Sequence, residues 1–346
     1  VSTASPPTGY AARGAQNLAV DCLRTKPGER ACLLAWRAGD VLPLVSRAIE
    51  DTGAAVDVFD LEPMTGEHPA SELYVHVSQR LRGAQASVLL ASYGLATPLS
   101  RAVVLAAERA GTRHLHVVGC DERVLGQSIR ASPAVLAAMN ARVVERLTAP
   151  SNVRVTSPAG TSLEVTLVAQ FPLLSATGRP APGRPENLPT GIVYTHPASV
   201  NGTFVADRAV AGEGVQTTPS ALRRAPVILR FQRGRVASVE CVDAVVRGAV
   251  EQTLASHPDA DRVGLVVWPT NYLVRSEIGV EVQDALLPGM NVDLGFSLPD
   301  LTRARHDAPV QLRLQARRLD VEANGRPMVV RGRFEPALME GLDPLG

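Results

Sequence analysis

His196, in the run Tyr194-Thr195-His196-Pro197, stands where a predicted strand gives way to a loop. An imidazole at a strand end can take up or release a proton near neutral pH, so His196 is the first candidate for a general base; the competing reading is a packing residue. His114 and His116 are two residues apart and so share one face of a predicted strand. That spacing suits a pair of metal ligands, but no third ligand follows nearby, and the two read as sheet-edge residues instead. Cys120, in Gly119-Cys120-Asp121, lies at a strand end where a nucleophile could sit, without an acid–base partner identifiable in the sequence. The four cysteines, Cys22, Cys32, Cys120 and Cys241, form no C-x-x-C pair and read as buried, reduced thiols. Neither a G-x-G-x-x-G nor a P-loop pattern occurs, so a nucleotide reading has no motif behind it.

The elements that must position these residues alternate in the first half and change character in the second. Ala31–Trp36, Ala55–Leu61, Ala86–Ala91 and His114–Val118 are apolar runs of strand length. Between them, Asp40–Asp51, Ser71–Leu81 and Pro98–Ala110 carry apolar residues at helical spacing, and further helical segments run to Leu147. Strands alternating with helices of this length predict a parallel, doubly wound sheet, in which ligands bind beyond the strand C-termini. Three such ends are Arg37-Ala38-Gly39-Asp40, Ser92-Tyr93-Gly94 and Gly119-Cys120-Asp121.

After a hinge near Pro150 the period becomes two. Val153 and Val155, then Leu163, Val165 and Leu167, alternate with polar residues around the turn Pro158-Ala159-Gly160. Ala225–Arg230 and Val236–Val242 flank Gln232-Arg233-Gly234-Arg235 as a hairpin, a helix spans roughly Asp243–Ser256, and Arg262–Trp268 and Asn291–Phe296 are further strands. Pro309–Leu319 and Val321–Arg333 are expected to form a last hairpin around Asn324-Gly325. The fold class expected is an N-terminal doubly wound α/β domain plus a β-rich α+β C-terminal domain. The expected division is a disordered lead-in over residues 1–10, the α/β domain over 11–149 and the β-rich domain over 150–346.

Composition narrows the partners. The chain is 45% hydrophobic and 20% charged with a formal net charge of +1, so it carries no global electrostatic footprint for nucleic acid. Lys26 is the only lysine, and the arginine bias reads as a GC-rich coding sequence. No apolar run is long enough to span a bilayer, and VSTASPPTGY lacks the basic and apolar regions of a secretory signal, so no membrane partner and a cytoplasmic location are expected.

Three stretches, Val153–Thr161 (VRVTSPAGT), Asn187–Gly191 (NLPTG) and Asn201–Thr203 (NGT), resemble the M29 (AmpS-type) aminopeptidases and the related 2,5-dihydroxypyridine ring-cleaving dioxygenases. The resemblance is specific here and pattern-level over the rest of the chain from about Ala11. It implies an α/β domain followed by a β-rich domain that carries the site: two metals on glutamates, histidines and an aspartate in the aminopeptidases, one iron on two histidines and an aspartate in the dioxygenases. It also implies, by analogy of fold, a homodimer.

At the positions the resemblance assigns to metal ligands, this chain differs. The glutamate of LP-x-GEV is Ile192, and the residue leading E-x-GIG-x-N-P falls on Arg262. The histidine of H-x-A-L-G is Asn291, and both members of H-x-D are replaced, by Gln311 and Arg313. A guanidinium repels a cation and an amide is a poor ligand, so no metal and no other cofactor is expected. His306-Asp307 is the candidate for a shifted H-x-D, and with His196 it completes the set of candidate catalytic residues. Arg262, Asn291, Gln311 and Arg313 would instead form a pocket for an anion, a carboxylate or a phosphate; the competing reading is that they are surface-facing strand positions and no pocket remains.

The function this implies is metal-independent acyl or aminoacyl transfer in specialised metabolism. An activated ester such as an aminoacyl-tRNA needs only positioning and hydrogen-bond donors to react with a small-molecule amine or an amino-acid-derived substrate. Two alternatives stand beside it: a metal-dependent leucyl-type aminopeptidase or ring-cleaving dioxygenase whose ligands lie elsewhere, and a non-catalytic binding protein.

Overall fold

The computed structural model describes residues 8–64, 69–92, 97–212 and 214–342. Strands β1 (Arg30–Trp36), β2 (Ala55–Asp60), β3 (Ala86–Ala91), β4 (Arg113–Val118) and β5 (Glu186–Leu188) form one parallel sheet in the order β2-β1-β3-β4-β5. β1 and β3 are apolar almost throughout because helices cover both faces, and a strand buried twice has no polar side to show. Val41, Val45 and Ile49 of helix Val41–Glu50 pack on one face with helix Thr8–Asn17. Leu73, Val77 and Leu81 of helix Ala70–Leu81 pack on the other with Val103, Ala106 and Ala107 of helix Thr97–Ala110.

β5 comes from beyond Pro150 yet completes the first sheet, so a cut at Pro150 leaves this edge strand on the wrong side of the division. Of the lead-in expected over residues 1–10, residues 1–7 lie outside the described residues, and the helix already begins at Thr8.

The second half folds as two antiparallel sheets packed face to face. One contains β6 (Ile192–Thr195), β7 (Val263–Pro269), β8 (Asn291–Gly295) and β9 (Gln311–Gln315), with Leu174–Ala176 at one edge and Ala209–Gly212 and Val215–Gln216 at the other. The other sheet has eight strands and includes Ser151–Thr156, Ser162–Leu167 and Ser199–Ala206. Alternation sends Val193, Val266, Trp268, Val292, Leu294, Leu312 and Leu314 into the core between the sheets, where they meet Val153, Val165, Phe204 and Leu229. The opposite face of the β6–β9 sheet presents Ile192, Tyr194, Leu265, Val267, Asn291, Asp293, Gln311 and Arg313 toward the parallel sheet.

The Asn324-Gly325 turn forms as expected, with φ +50° and +77°, but it joins Asp320–Ala323 to Arg326–Val330 within the eight-stranded sheet. The expected partner segment contributes β9 to the other sheet, because the chain crosses between sheets after Gln315.

The pairing of β7 with β8 shifts register between Val263 and Leu265, and the residue between them, Gly264, is pressed against the neighbouring backbone. A Cβ there would lie 2.1 Å from the Phe296 carbonyl oxygen. Gly264→Ala should therefore lower stability by about 3 kcal/mol, read as a drop in the denaturation midpoint, because backbone rather than a movable side chain must give way.

Candidate functional site

The stretch Glu186–Thr195 ties the two halves together: β5 pairs with β4 of the parallel sheet, and β6 begins after three intervening residues in the antiparallel one. The connecting Pro189-Thr190-Gly191 is clamped by the next loop, with the Thr270 amide donating to the Gly191 carbonyl (2.7 Å) and Asn271 Nδ2 to that of Thr190 (2.7 Å). The gap between the sheets is a cavity of about 380 Å³. Ile192, Asn291, Gln311 and Arg313 all line it, as their assigned positions require.

Arg313 is held at the centre of this face. Its Nε donates to Asp293 Oδ1 at 2.8 Å and one terminal nitrogen donates to Oδ2 at 2.9 Å, a bidentate pair across directly opposed residues of β8 and β9. Gln311 Nε2 adds a third bond to Asp293 Oδ2, at 2.8 Å. Asp293 is fully buried, and its carboxylate pushes the pKa of Arg313 further up. The second terminal nitrogen of Arg313 is left over to face the cavity, where the side chain keeps 30% exposure. Asn291 is tethered through Nδ2 to the Ala285 carbonyl at 2.8 Å.

The other candidates lie elsewhere. Arg262 does not line this cavity. It precedes β7 at the far end of the sheet, 3.5 Å from Asp259, and bridges to Arg235 of the neighbouring hairpin. Arg262 lies before the first residue of β7, three positions short of Leu265, which is opposite Asp293 and takes the cavity position assigned to Arg262. His196 is buried, 2.8 Å from the Gly264 carbonyl through Nδ1, with its ring edge-on to Phe171 and His306. Burial lowers the pKa of both His196 and His306. Asp307 accepts from the Ser297 amide at 2.7 Å and so closes a loop. His196 and His306 pack against each other, and none of the three lines the cavity.

Cys120 is buried, and desolvation raises its thiol pKa, which removes the thiolate a nucleophile needs. His114 and His116 lie on an interior strand and not at a sheet edge, because β5 covers β4. Desolvation holds them neutral, with pKa values near 3 and 4, and Ser87 and Ser100 hydroxyls lie 2.8 and 2.7 Å from them.

Sequence reasoning missed two residues of the cavity. Asp293 was visible only as one polar residue in an apolar strand. Glu186 lines the cavity beside Asn187, accepts from the Gly178 amide at 3.2 Å, and is pushed up to about 7 by burial. A carboxyl poised there can exchange a proton at neutral pH. Its signal was an acid immediately before the NLP motif.

The iron of the dioxygenases and the paired metals of the aminopeptidases do not fit this face. Its one carboxylate, Asp293, has both oxygens committed to Arg313 and Gln311. The other residues of this face are aliphatic, amide, cationic or the Tyr194 phenol, and the cavity's remaining carboxyl and imidazole, Glu186 and His116, come from the parallel sheet opposite. Among the described residues no three His, Cys, Asp or Glu side chains are grouped to hold a metal ion.

The fold itself is shared along nearly its whole length. The chain matches the structure of 2,5-dihydroxypyridine dioxygenase from Pseudomonas putida KT2440 at 16% identity and a TM-score of 0.63, over 95% of this chain and 98% of that one. AmpT from Thermus thermophilus matches at 17% identity and a TM-score of 0.67, over 94% and 99%. At such identities the likeness is one of fold. No curated protein matches in sequence. The family model described as NicX, 2,5-dihydroxypyridine 5,6-dioxygenase, matches residues 22–261, well over half of the chain. The chain belongs to the NicX family, on the scaffold it shares with AmpT.

Proposed function

We propose that this family member is an acyl- or aminoacyl-transfer enzyme that works in the 380 Å³ cavity without a metal at the family's position. The observation that carries the reading is the Asp293–Arg313–Gln311 set, a fixed guanidinium where a metal would otherwise polarise the substrate. A donor carbonyl placed against the free terminal nitrogen of Arg313 gains stabilisation as its oxygen becomes an oxyanion, and removing one such donor typically costs about 10²–10³ in rate. Asn291 and Gln311 offer their amide oxygens to orient an amine. That amine, from a small molecule or an amino-acid derivative, attacks the carbonyl of an activated ester, for which an aminoacyl-tRNA is the candidate. The C–N bond forms and the C–O bond breaks; Glu186 accepts the amine's proton and returns one to the departing oxygen.

The family match favours a second reading, a ring-cleaving dioxygenase. Elemental analysis of the purified protein, paired with a chelator challenge, separates the two. Substoichiometric metal and chelator-resistant transfer of an activated aminoacyl ester to an amine are expected. Stoichiometric iron with consumption of 2,5-dihydroxypyridine would overturn the transfer reading, and saturable ligand binding without turnover would leave a binding protein.

A further inference from the structure

A second cavity of about 970 Å³ opens at the C-terminal ends of β1, β3 and β4, where Gly39, Ser92 and Gly119 line it. The strand order β2-β1-β3-β4-β5 reverses between β1 and β3, and the helices that follow these two strands pack on opposite faces of the sheet. That divergence opens a crevice, the place where doubly wound sheets take ligands. Helix Val41–Glu50 starts there: Asp40 and Val41 line the cavity, and no side chain caps the helix end. The positive end of the helix dipole faces this space.

An independent feature faces it from the other half. Arg208 lines the cavity with its side chain only 7% exposed, and its Nε has no hydrogen-bond partner. The nearest carboxylate, Glu277, is 3.5 Å away and is already held by Arg317, at 2.6 and 2.8 Å, and by Arg223, at 3.1 Å. One carboxylate therefore serves three guanidiniums, and Arg208 is the one it satisfies least. The acids on the same wall are committed: Asp121 caps the helix Glu122–Gly126 and pairs with Arg123, while Asp284 accepts from the Ile278 and Gly279 amides. Glu281 accepts from Gln315, and burial raises its pKa. Asp40 is solvent-exposed and Glu122 half-buried.

We propose that this cavity binds a phosphorylated small molecule, with its phosphoryl group held between Arg208 and the N-terminus of helix Val41–Glu50. A phosphoryl group has oxygens enough to bond a guanidinium on one side and the Val41 amide on the other, the Leu42 amide being held by the Gly39 carbonyl and position 43 being proline. Ala209, Val210, Val215 and Val280 form an apolar wall for the rest of the ligand, and the volume suits a mononucleotide-sized molecule. None of these residues belongs to the proposed transfer site, so the inference stands apart from that reaction.

Calorimetric titration of the full chain with inorganic pyrophosphate, AMP and adenosine tests it. Saturable binding of pyrophosphate or AMP is expected, with adenosine at least tenfold weaker. Arg208→Gln should weaken phosphate binding at least tenfold. Because Arg208 is buried and its loss could unfold the chain, Gly39→Asp serves as the second variant. Gly39 has φ +53°, a conformation aspartate tolerates, and a Cβ there meets nothing within 4 Å. The added carboxylate at the helix end should also weaken binding at least tenfold, and Gly39→Asn should restore most of it. Absence of binding by both pyrophosphate and AMP, equal binding of AMP and adenosine, or affinity unchanged in Gly39→Asp would each overturn the proposal.

Discussion

Asp293→Ala should destabilise the protein by about 3–5 kcal/mol, the cost typical of leaving one member of a buried ion pair without its partner. Asp293 has no exposure, and three hydrogen bonds converge on it from Arg313 and Gln311. The alanine variant leaves the guanidinium, 30% exposed to the cavity, beside apolar Leu265 without its direct partner and with only the field of Glu281 to offset it. Arg313→Met should cost a similar amount for the converse reason, an unpaired buried carboxylate. The double variant Asp293→Ala/Arg313→Met should recover much of the loss, since an apolar pair leaves no buried charge to compensate. Urea denaturation of the four proteins gives the coupling energy directly. Strictly additive losses would show that the pair does not act as a unit. Any transfer activity should vanish in all three variants, because Arg313 is then either absent or no longer aimed.

Glu186→Gln should have opposite effects on activity and stability. Burial raises the Glu186 pKa from 4.5 to about 7, against the downward pull of the Gly178 and Thr177 amides. The folded protein thus holds a proton that the unfolded chain releases between pH 4.5 and about 7. The stability this group contributes is complete below the unfolded pKa and is lost as pH rises through the folded one. Glutamine never ionises, so the variant should match the wild type near pH 4 and exceed it by about 1–2 kcal/mol at pH 8, discounted for the partial exposure of the site. Activity should fall by about 10²–10⁴-fold, and the limb of the pH–rate profile that rises toward pH 7 should disappear with it. A variant that is less stable at pH 8, or that keeps the acidic limb, would remove Glu186 from the mechanism.

The parts of the site that could be read without coordinates are those governed by strand alternation. Gln311 and Arg313 are two apart on one strand, so they share a face wherever that strand goes, and Asn291 follows the same rule on β8. Arg262 falls outside because β7 begins only at Val263 and its cavity-lining residues start at Leu265, past a register shift that a single glycine in an apolar run does not announce. Asp293 carried no signal because its meaning lies in its cross-strand neighbour, and which residues oppose one another is a matter of pairing register. β5 is three residues long, too short for a pattern, so its membership in the first sheet was hidden along with the cavity it closes.

The sequence by itself determined the two kinds of structure, the scaffold family and the absence of the family's ligand types at Ile192, Asn291, Gln311 and Arg313. These follow from local periodicity and residue identity. Only the tertiary structure decided that Arg313 is bound to Asp293, that Arg262, His196 and His306 lie away from the cavity, and that Glu186 and Arg208 face enclosed space. Charge pairing, desolvation and enclosure arise between segments that only the fold brings together, across 20 residues for Asp293 and Arg313, where no local pattern can record them.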